Sequence, residues 1–434
     1  MTAPPGPELV AEGLSYPTSL AFDDEGTPWV AEAGLPFGGA APGGRVWRLA
    51  PNGERQLVVK NLSPPVNGLF HHEGSFFVSV GGHPSRIIRV WPDGRAEAVL
   101  EGLPGPGDYQ TNMAVVGPDG RLYFSQGAMT NSGVIGLDSY QIGWLSRLPH
   151  SHDLPGHDVV LAGVNVVTAD PRDGAAGKDA VTGAFVPFGT PSEPGQRVDG
   201  RVPCTAAVMR CRLDGSDLEL VAWGLRNAYG LGFLADGRLL AIDQGADDRG
   251  SRPIGNAPDL LHEVISGAWF GWPDFVGDVP VTDPRFRPES GPQPTFVLDN
   301  HDVLPAPACP LVEFPPHSAA TKLAVAPESQ GRWAGHLFVT LFGDEVPLTA
   351  PSGPRVGRGV VRVDPSDWSV HPLPPAPYFR PVDVGFHPGD GALHVLDFGR
   401  FEMTESGVDA EPATGRLWRL PALEPLLSPG GEPS

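Results

Sequence analysis

RNAYGLGFLADGRLLAIDQG, residues 226–245, runs apolar, turns at a glycine, and runs apolar again. It reads as strand, Gly-containing turn, strand. Four other stretches repeat this unit: SYPTSLAFDDEGTPWVAEAG (15–34), PPVNGLFHHEGSFFVSVGG (64–82), YQTNMAVVGPDGRLYFSQG (109–127) and FRPVDVGFHPGDGALHVLDFG (379–399). A more divergent copy, HSAATKLAVAPESQGRWAGHLFVTLFG, occupies 317–343. Each unit is followed by another short strand, RVWRLAPNG, RIIRVWPDG, AVMRCRLDG, DLLHEVISG, GVVRVDPSD or RLWRLPA. Before the first four stands a further one, ELVAEGL, QLVVKNL, EAVLEGL or ELVAWGL. Four strands in each of six repeats predict an all-β, six-bladed β-propeller. The chain opens on an outer strand and ends on a third strand, so the N-terminal strand is expected to complete the last blade and close the ring. Two segments, about 135–205 and about 270–315, break the period; they read as loop insertions within a single domain spanning 1–434.

Composition narrows the function. Among 434 residues, 57 Gly and 51 Pro punctuate short runs rich in Val, Leu, Phe and Trp, the texture of a turn-rich β protein. The formal net charge of −21 opposes a phosphate backbone, so a nucleic-acid partner is not expected. No run reaches the length of a membrane span, and no secretory signal is visible at the start, which leaves the compartment undetermined. Cys204, Cys211 and Cys309 form no metal pattern, and isolated core thiols are favoured over a pairing of Cys204 with Cys211. His150, His152 and His157 are spaced irregularly in a loop and read as solvated rather than metal-binding.

Repetition argues for architecture, and a site is sought where the repeat is broken. Arg48, Arg89, Arg210, Arg362 and Arg419 recur at one register of the third strands, with His262 in the fourth repeat, and are read as structural. The loops leading into the innermost strands form the channel mouth. Counting back seven residues from the Phe or Val before each turn gives Ser15, Ser63, Tyr109, Arg226, Ser318 and Phe379. The next position gives Tyr16, Pro64, Gln110, Asn227, Ala319 and Arg380. Two repeats thus contribute unshared pairs, Tyr109–Gln110 and Arg226–Asn227, with Arg380 and His317 added from the other side. A guanidinium beside an amide suits a planar, oxygen-rich anion, although an ion pair of Arg226 with Asp243 or Asp247 remains open. At the far end of the same stretch, Gly245 and Ala246 offer backbone carbonyls beside Asp247, Asp248 and Asp259, hard oxygen donors of the kind that hold Ca²⁺, or an ordinary acidic turn.

These residues resemble the PQQ-dependent glucose/sorbosone dehydrogenases, soluble aldose dehydrogenases on a six-bladed propeller. The resemblance runs through G-L-R-N-A-Y-G-L, D-G-R-L-L-A-I-D-Q-G-A, A-P-D-L-L and F-G-W-P, and extends to G-P-D-G-R-L-Y and R-P-V-D-V-G-F. It implies oxidation of a sugar or related alcohol with PQQ and Ca²⁺ as cofactors and an external electron acceptor. Gln110, Arg226, Asn227 and Arg380 would contact the quinone; the carbonyls of Gly245 and Ala246, with Asp259 nearby, would hold the metal. Two departures stand out. The family's His-Gln is Tyr109-Gln110 here, so either Tyr109 is made more acidic by Arg226, or Asp108 serves as the base instead, or dehydrogenase activity is weak or absent. The family's G-S-W-N-R is F-G-D-E-V at 342–346, which removes a cationic cofactor contact. Two alternatives are a Ca²⁺-dependent lactonase-type hydrolase, with Asn67, Asn112, Asn227 and Asp383 among its ligands, and a non-catalytic binding propeller in which Tyr109 blocks the channel.

Overall fold

The computed structural model describes residues 6–50, 54–172 and 177–420. Hairpins whose strands carry apolar side chains on both faces cannot stand alone, and here they are sandwiched between neighbouring copies. Six four-stranded antiparallel sheets result, the blades of a propeller. Their innermost strands are Pro17–Phe22, Val66–His72, Thr111–Val116, Ala228–Phe233, Ala320–Val325 and Pro381–Phe386. Each innermost strand touches the next, and the sixth returns to the first. Buried side chains fill the space between blades, as where Trp29 of blade 1 packs at 4.3 Å between ring centroids on Phe76 of blade 2.

The ring closes as the sequence phase requires. Glu8–Leu14 pairs antiparallel with Gly415–Arg419, from Glu8 opposite Arg419 to Leu14 opposite Gly415, and forms the outer strand of blade 6. Deleting residues 1–14 therefore bares Gly415–Arg419 as an unpaired β edge. A sharply lower melting temperature and aggregation on heating are expected; a truncated chain that melts like the full one would show that closure does not depend on this strand.

The repeated basic residues share one register: Arg48 faces Trp29, Arg89 faces Phe77, Arg210 faces Tyr123, His262 faces Ala241, Arg362 faces Phe338 and Arg419 faces His394. They are structural. Arg210, for example, donates to Glu219 at 2.9 Å and to the Tyr123 hydroxyl at 3.0 Å. Burial pushes His262 down to about 4, so it stays neutral between blades.

Both insertions carry more order than bare loops. The first, between the second and third strands of blade 3, holds the helix Leu137–Gln141 and two small sheets. The second, between the third and outer strands of blade 4, holds the hairpin Phe275–Val276 with Val279–Pro280. They meet at a Leu161–Leu298 bridge and around Phe185, whose ring lies 5.9 Å from that of Trp272. Within the first, His152 and His157 are partly buried rather than solvated, His157 lying edge-on to Trp223, and only His150 is exposed. Cys204 and Cys211 are buried free thiols and Cys309 is an exposed one.

Candidate functional site

At one end of the propeller axis lies a cavity of about 320 Å³. It is bordered by Tyr109 and Gln110 from blade 3, Arg226 and Asn227 from blade 4, and His317 before blade 5. The two unshared pairs therefore meet, as their registers require. The backbone that carries Arg226 and Asn227 is fixed by Asp243, at the end of the adjacent strand, which accepts from the Arg226 N–H at 3.1 Å and the Asn227 N–H at 2.7 Å. Gly127 permits the close approach of the two blades. A Cβ there would stand 2.4 Å from the Tyr109 Cβ and 2.6 Å from Asn227 Oδ1.

The floor of the cavity is a belt of amides that crosses four blades. Asn67 Nδ2 donates to Asn112 Oδ1 at 3.3 Å, and Asn112 Nδ2 to Asn227 Oδ1 at 2.8 Å. Asn227 Nδ2 donates to Gln244 Oε1 at 2.7 Å, and Gln244 Nε2 to the Ala320 carbonyl at 3.1 Å. Because their amide oxygens already accept within the belt, Asn112 and Asn227 are not arranged as the metal ligands of a lactonase-type site, and Asn67 enters the belt as a donor through Nδ2. Asp383 is not either, since it pairs with Lys322 at 3.3 Å. The belt leaves further amide N–H capacity at Asn112 and Asn227, each of which has two donors and uses one here. Aromatic rings of Phe342, Phe398 and Phe401 stand over one side, with centroids 5.3–6.1 Å apart.

The opposite wall is a buried charge network. The Arg226 guanidinium donates from Nε to the Asn131 carbonyl at 3.0 Å. Its Nη1 donates to the carbonyls of Gln244 at 3.3 Å and Gly245 at 2.5 Å. Its Nη2 donates to Asn131 Oδ1 and Asp247 Oδ2, both at 2.7 Å, and to the Tyr109 hydroxyl. The ion pair with Asp247 is thus formed, and the fork is directed at protein acceptors in every direction. Arg249, which sequence reasoning missed, completes the wall: it reaches Asp108 at 2.9 Å, Asp138 at 2.6 Å and Asp247 at 3.1 Å.

This network corrects several expectations. Burial drives the Tyr109 hydroxyl far above its ordinary range and outweighs the lowering by Arg226, so Tyr109 is not made more acidic. Its side chain borders the cavity. Asp108 is not a free base; its carboxylate accepts from Trp144 Nε1 at 2.7 Å and pairs with Arg249. Arg380 does not line the cavity. Fully buried, it donates to the carbonyls of Gly343 at 3.0 Å and of Asp344 at 2.7 Å, and to Glu402 at 2.9 Å.

The turn expected to hold calcium is likewise committed. The Gly245 carbonyl faces the Arg226 guanidinium, which repels a cation. Asp259 accepts from the Gly245 N–H at 2.8 Å, the Ala320 N–H at 2.7 Å and the Ser318 hydroxyl at 3.1 Å, and so staples blade 4 to blade 5. Among the described residues, no three His, Cys, Asp or Glu side chains converge as a metal cluster. With the Gly245 carbonyl and Asp259 committed to protein partners, these two do not fit Ca²⁺ in this arrangement.

A six-bladed propeller with a polar cavity at one mouth of its axis is the class that fold and geometry define. No family model matches the sequence. Over 179 residues the chain is 24% identical to quinoprotein glucose dehydrogenase B of Acinetobacter calcoaceticus, a match that covers 41% of this chain and 29% of that protein's length. The PQQ-bound form of the aldose sugar dehydrogenase from Streptomyces coelicolor has the same fold, with a TM-score of 0.58 at 16% identity over 96% of this chain and 99% of that one. The holo PQQ domain of pyranose dehydrogenase from Coprinopsis cinerea gives 0.56 at 15% identity, over 95% and 94%. The resemblance read in the motifs thus recurs in both sequence and fold. Among the described residues no helix is long and apolar enough to cross a membrane.

Proposed function

We propose that the chain is an oxidoreductase of the PQQ-dependent sugar dehydrogenase type, which oxidises a sugar or related alcohol in the axial cavity and passes the electrons to an external acceptor. The observation that carries this reading is the meeting of Tyr109–Gln110 with Arg226–Asn227 in one cavity with an amide floor and an aromatic wall. Amides suit the hydroxyls of a polyol, and aromatic faces suit the apolar face of a sugar ring or a planar quinone.

The residues fit a quinone at one edge. Gln110 Oε1 is buried without a hydrogen-bond partner, so its amide is free to turn toward a ligand. Gln110, Asn227 and the Phe342–Phe398–Phe401 wall would hold PQQ, with Arg226 contributing its positive field rather than a free N–H. When bound, PQQ supplies a two-electron acceptor for the hydride of the substrate carbon. The chain's own residues bind the hydroxyls, orient the carbon and exclude water. Calcium at Gly245–Ala246 is not part of the proposal.

Titration with PQQ, followed by melting temperature and by turnover of aldoses with an artificial electron acceptor, tests the reading. A higher melting temperature and PQQ-dependent turnover are expected. Because the Gly245 turn is committed to Arg226, EDTA should leave the melting shift unchanged; loss of the shift on chelation would restore the calcium reading. Absence of both shift and turnover would refute the proposed function.

Tyr109→Phe follows from the same geometry. With its hydroxyl held far from ionisation, Tyr109 is not the base, and the variant should keep its rate within roughly tenfold, well short of the 10²- to 10⁴-fold loss of a general base. A loss in that larger range would return the base to Tyr109.

A further inference from the structure

Four carboxylates border the axial cavity, Asp108, Asp247, Asp259 and Glu345. Three are spoken for. Asp108 is held by Arg249 and Trp144, Asp247 by Arg226 and Arg249, and Asp259 by two backbone N–H groups and Ser318. Glu345 differs, because its carboxylate makes no hydrogen bond or ion pair with the described residues, and the residue keeps partial exposure where it lines the cavity.

The loop carrying Glu345 is nevertheless firmly held. Arg380 Nη1 donates to the Gly343 and Asp344 carbonyls on one side. The Asp344 carboxylate pairs with Arg355 at 3.2 Å. On the other side the Asp248 N–H donates to the Thr349 carbonyl at 2.8 Å, which ties the loop to the turn after blade 4's second strand. Within the loop, the Leu348 N–H closes on the Glu345 carbonyl at 2.7 Å. A fixed backbone presenting an unpaired carboxylate to a cavity is the arrangement a proton acceptor needs: placed, yet with its lone pairs left for a ligand.

We propose that Glu345 is the proton acceptor of the axial cavity, taking the hydroxyl proton of the sugar or alcohol while the hydride of the same carbon passes to the bound o-quinone. This rests on the function proposed above. Atoms and electrons balance: the substrate O–H bond breaks with its proton going to a Glu345 oxygen, the C–H bond breaks with its electron pair going to the quinone, and the carbon–oxygen bond becomes a carbonyl.

The surroundings place Glu345 in the useful range. Desolvation is the main influence and raises it to about 7; Arg380 and Arg249 lower it, while Asp247 and Asp344 raise it. Arg226, His317, Asp259, Asp108, Tyr109 and Tyr229 are the other titratable or charged groups around the cavity. Glu345 thus accepts a proton above about pH 7 and already carries one below it. Ionisation also sets a negative charge against a tricarboxylate cofactor, so PQQ affinity should fall as pH rises through the same range, which can be read without any turnover.

The test compares wild type, Glu345→Gln and Glu345→Asp, after melting curves show that each folds. In wild type, kcat should rise with pH through about 7 while PQQ affinity, followed by fluorescence, falls. Glu345→Gln should lose about 10²- to 10⁴-fold in kcat and show a flat pH dependence of PQQ affinity. Glu345→Asp should restore part of the rate together with a pH inflection. If wild type turns over and Glu345→Gln matches it in rate and pH profile, the inference fails while the proposed function stands. If wild type neither binds PQQ nor turns over, the function fails and this inference with it.

Discussion

Arg249→Met is expected to destabilise the protein by about 3–5 kcal/mol, the usual consequence of removing one partner from a buried ion pair. Arg249 is buried and is the shared cation of Asp108, Asp138 and Asp247, and it also donates to the Tyr109 hydroxyl at 3.3 Å. Methionine fills similar space but leaves Asp108 and Asp138 without a cation, and Asp247 with Arg226 alone. From the per-residue entropy of unfolding, the melting temperature should drop by roughly 3–5 °C.

The loss should depend on pH, and its sign follows from Asp138. In the intact protein burial raises Asp138 to about 6 despite Arg249. A folded value above the unfolded one means stability that is full below the unfolded value and lost as pH rises through the folded one. Without Arg249 the folded value climbs further, so the window of loss moves up and widens. Arg249→Met should therefore lie closest to wild type near pH 5 and furthest from it near pH 8. Melting curves across that range check it; a pH-independent difference would mean that packing rather than charge carries the effect.

The architecture was legible because each blade repeats the same hairpin, and the third-strand register, with Arg in five blades and His262 in the fourth, is met in every blade. The mouth register slipped in one place. In blade 2 the Pro65 carbonyl accepts the Gly81 N–H just as the Asn227 carbonyl accepts that of Gln244. The position equivalent to Asn227 is thus Pro65 and not Pro64. Phe70 is not the residue before the turn there, since the strand continues to His72 and turns tightly through Glu73–Gly74. The outer strands of blades 4 and 5, Val312–Phe314 and Val370–Pro372, are only three residues long, too short to announce themselves as a pattern.

At the site, register told which residues reach the mouth but not where long side chains go. Arg226 and Arg380 stand at adjacent mouth positions of their blades; the first borders the cavity and the second runs beneath Phe401 to Glu402. That choice is made by acceptors far away in sequence. Glu345 was visible within F-G-D-E-V, but as the loss of a cation. Its meaning as a free carboxylate depends on the other three acids having partners, which only the assembled wall reveals.

Lys322→Met is the second large effect. Lys322 extends across the axis from blade 5 and donates to the Thr18 carbonyl at 2.8 Å and Ser19 Oγ at 2.7 Å in blade 1, and to the Asn67 carbonyl at 2.9 Å in blade 2. It pairs with Asp383 of blade 6 at 3.3 Å. One ammonium thus ties four blades just beneath the amide belt. Burial lowers Lys322 and raises Asp383, so each charge in that setting relies on the other. Removing the ammonium strands the Asp383 carboxylate and leaves the Thr18 and Asn67 carbonyls short of a donor, a loss of about 3–5 kcal/mol. The decisive comparison is the double variant Lys322→Met with Asp383→Leu. Removing both charges together spares the cost of a stranded carboxylate, so the double variant should be more stable than Lys322→Met alone, and the non-additivity measures the pair. If Lys322→Met alone melts like wild type, the pin across the axis contributes nothing. If the double variant is worse than the sum of the two singles, the hydrogen bonds to blades 1 and 2, rather than the charge on Asp383, are what Lys322 supplies.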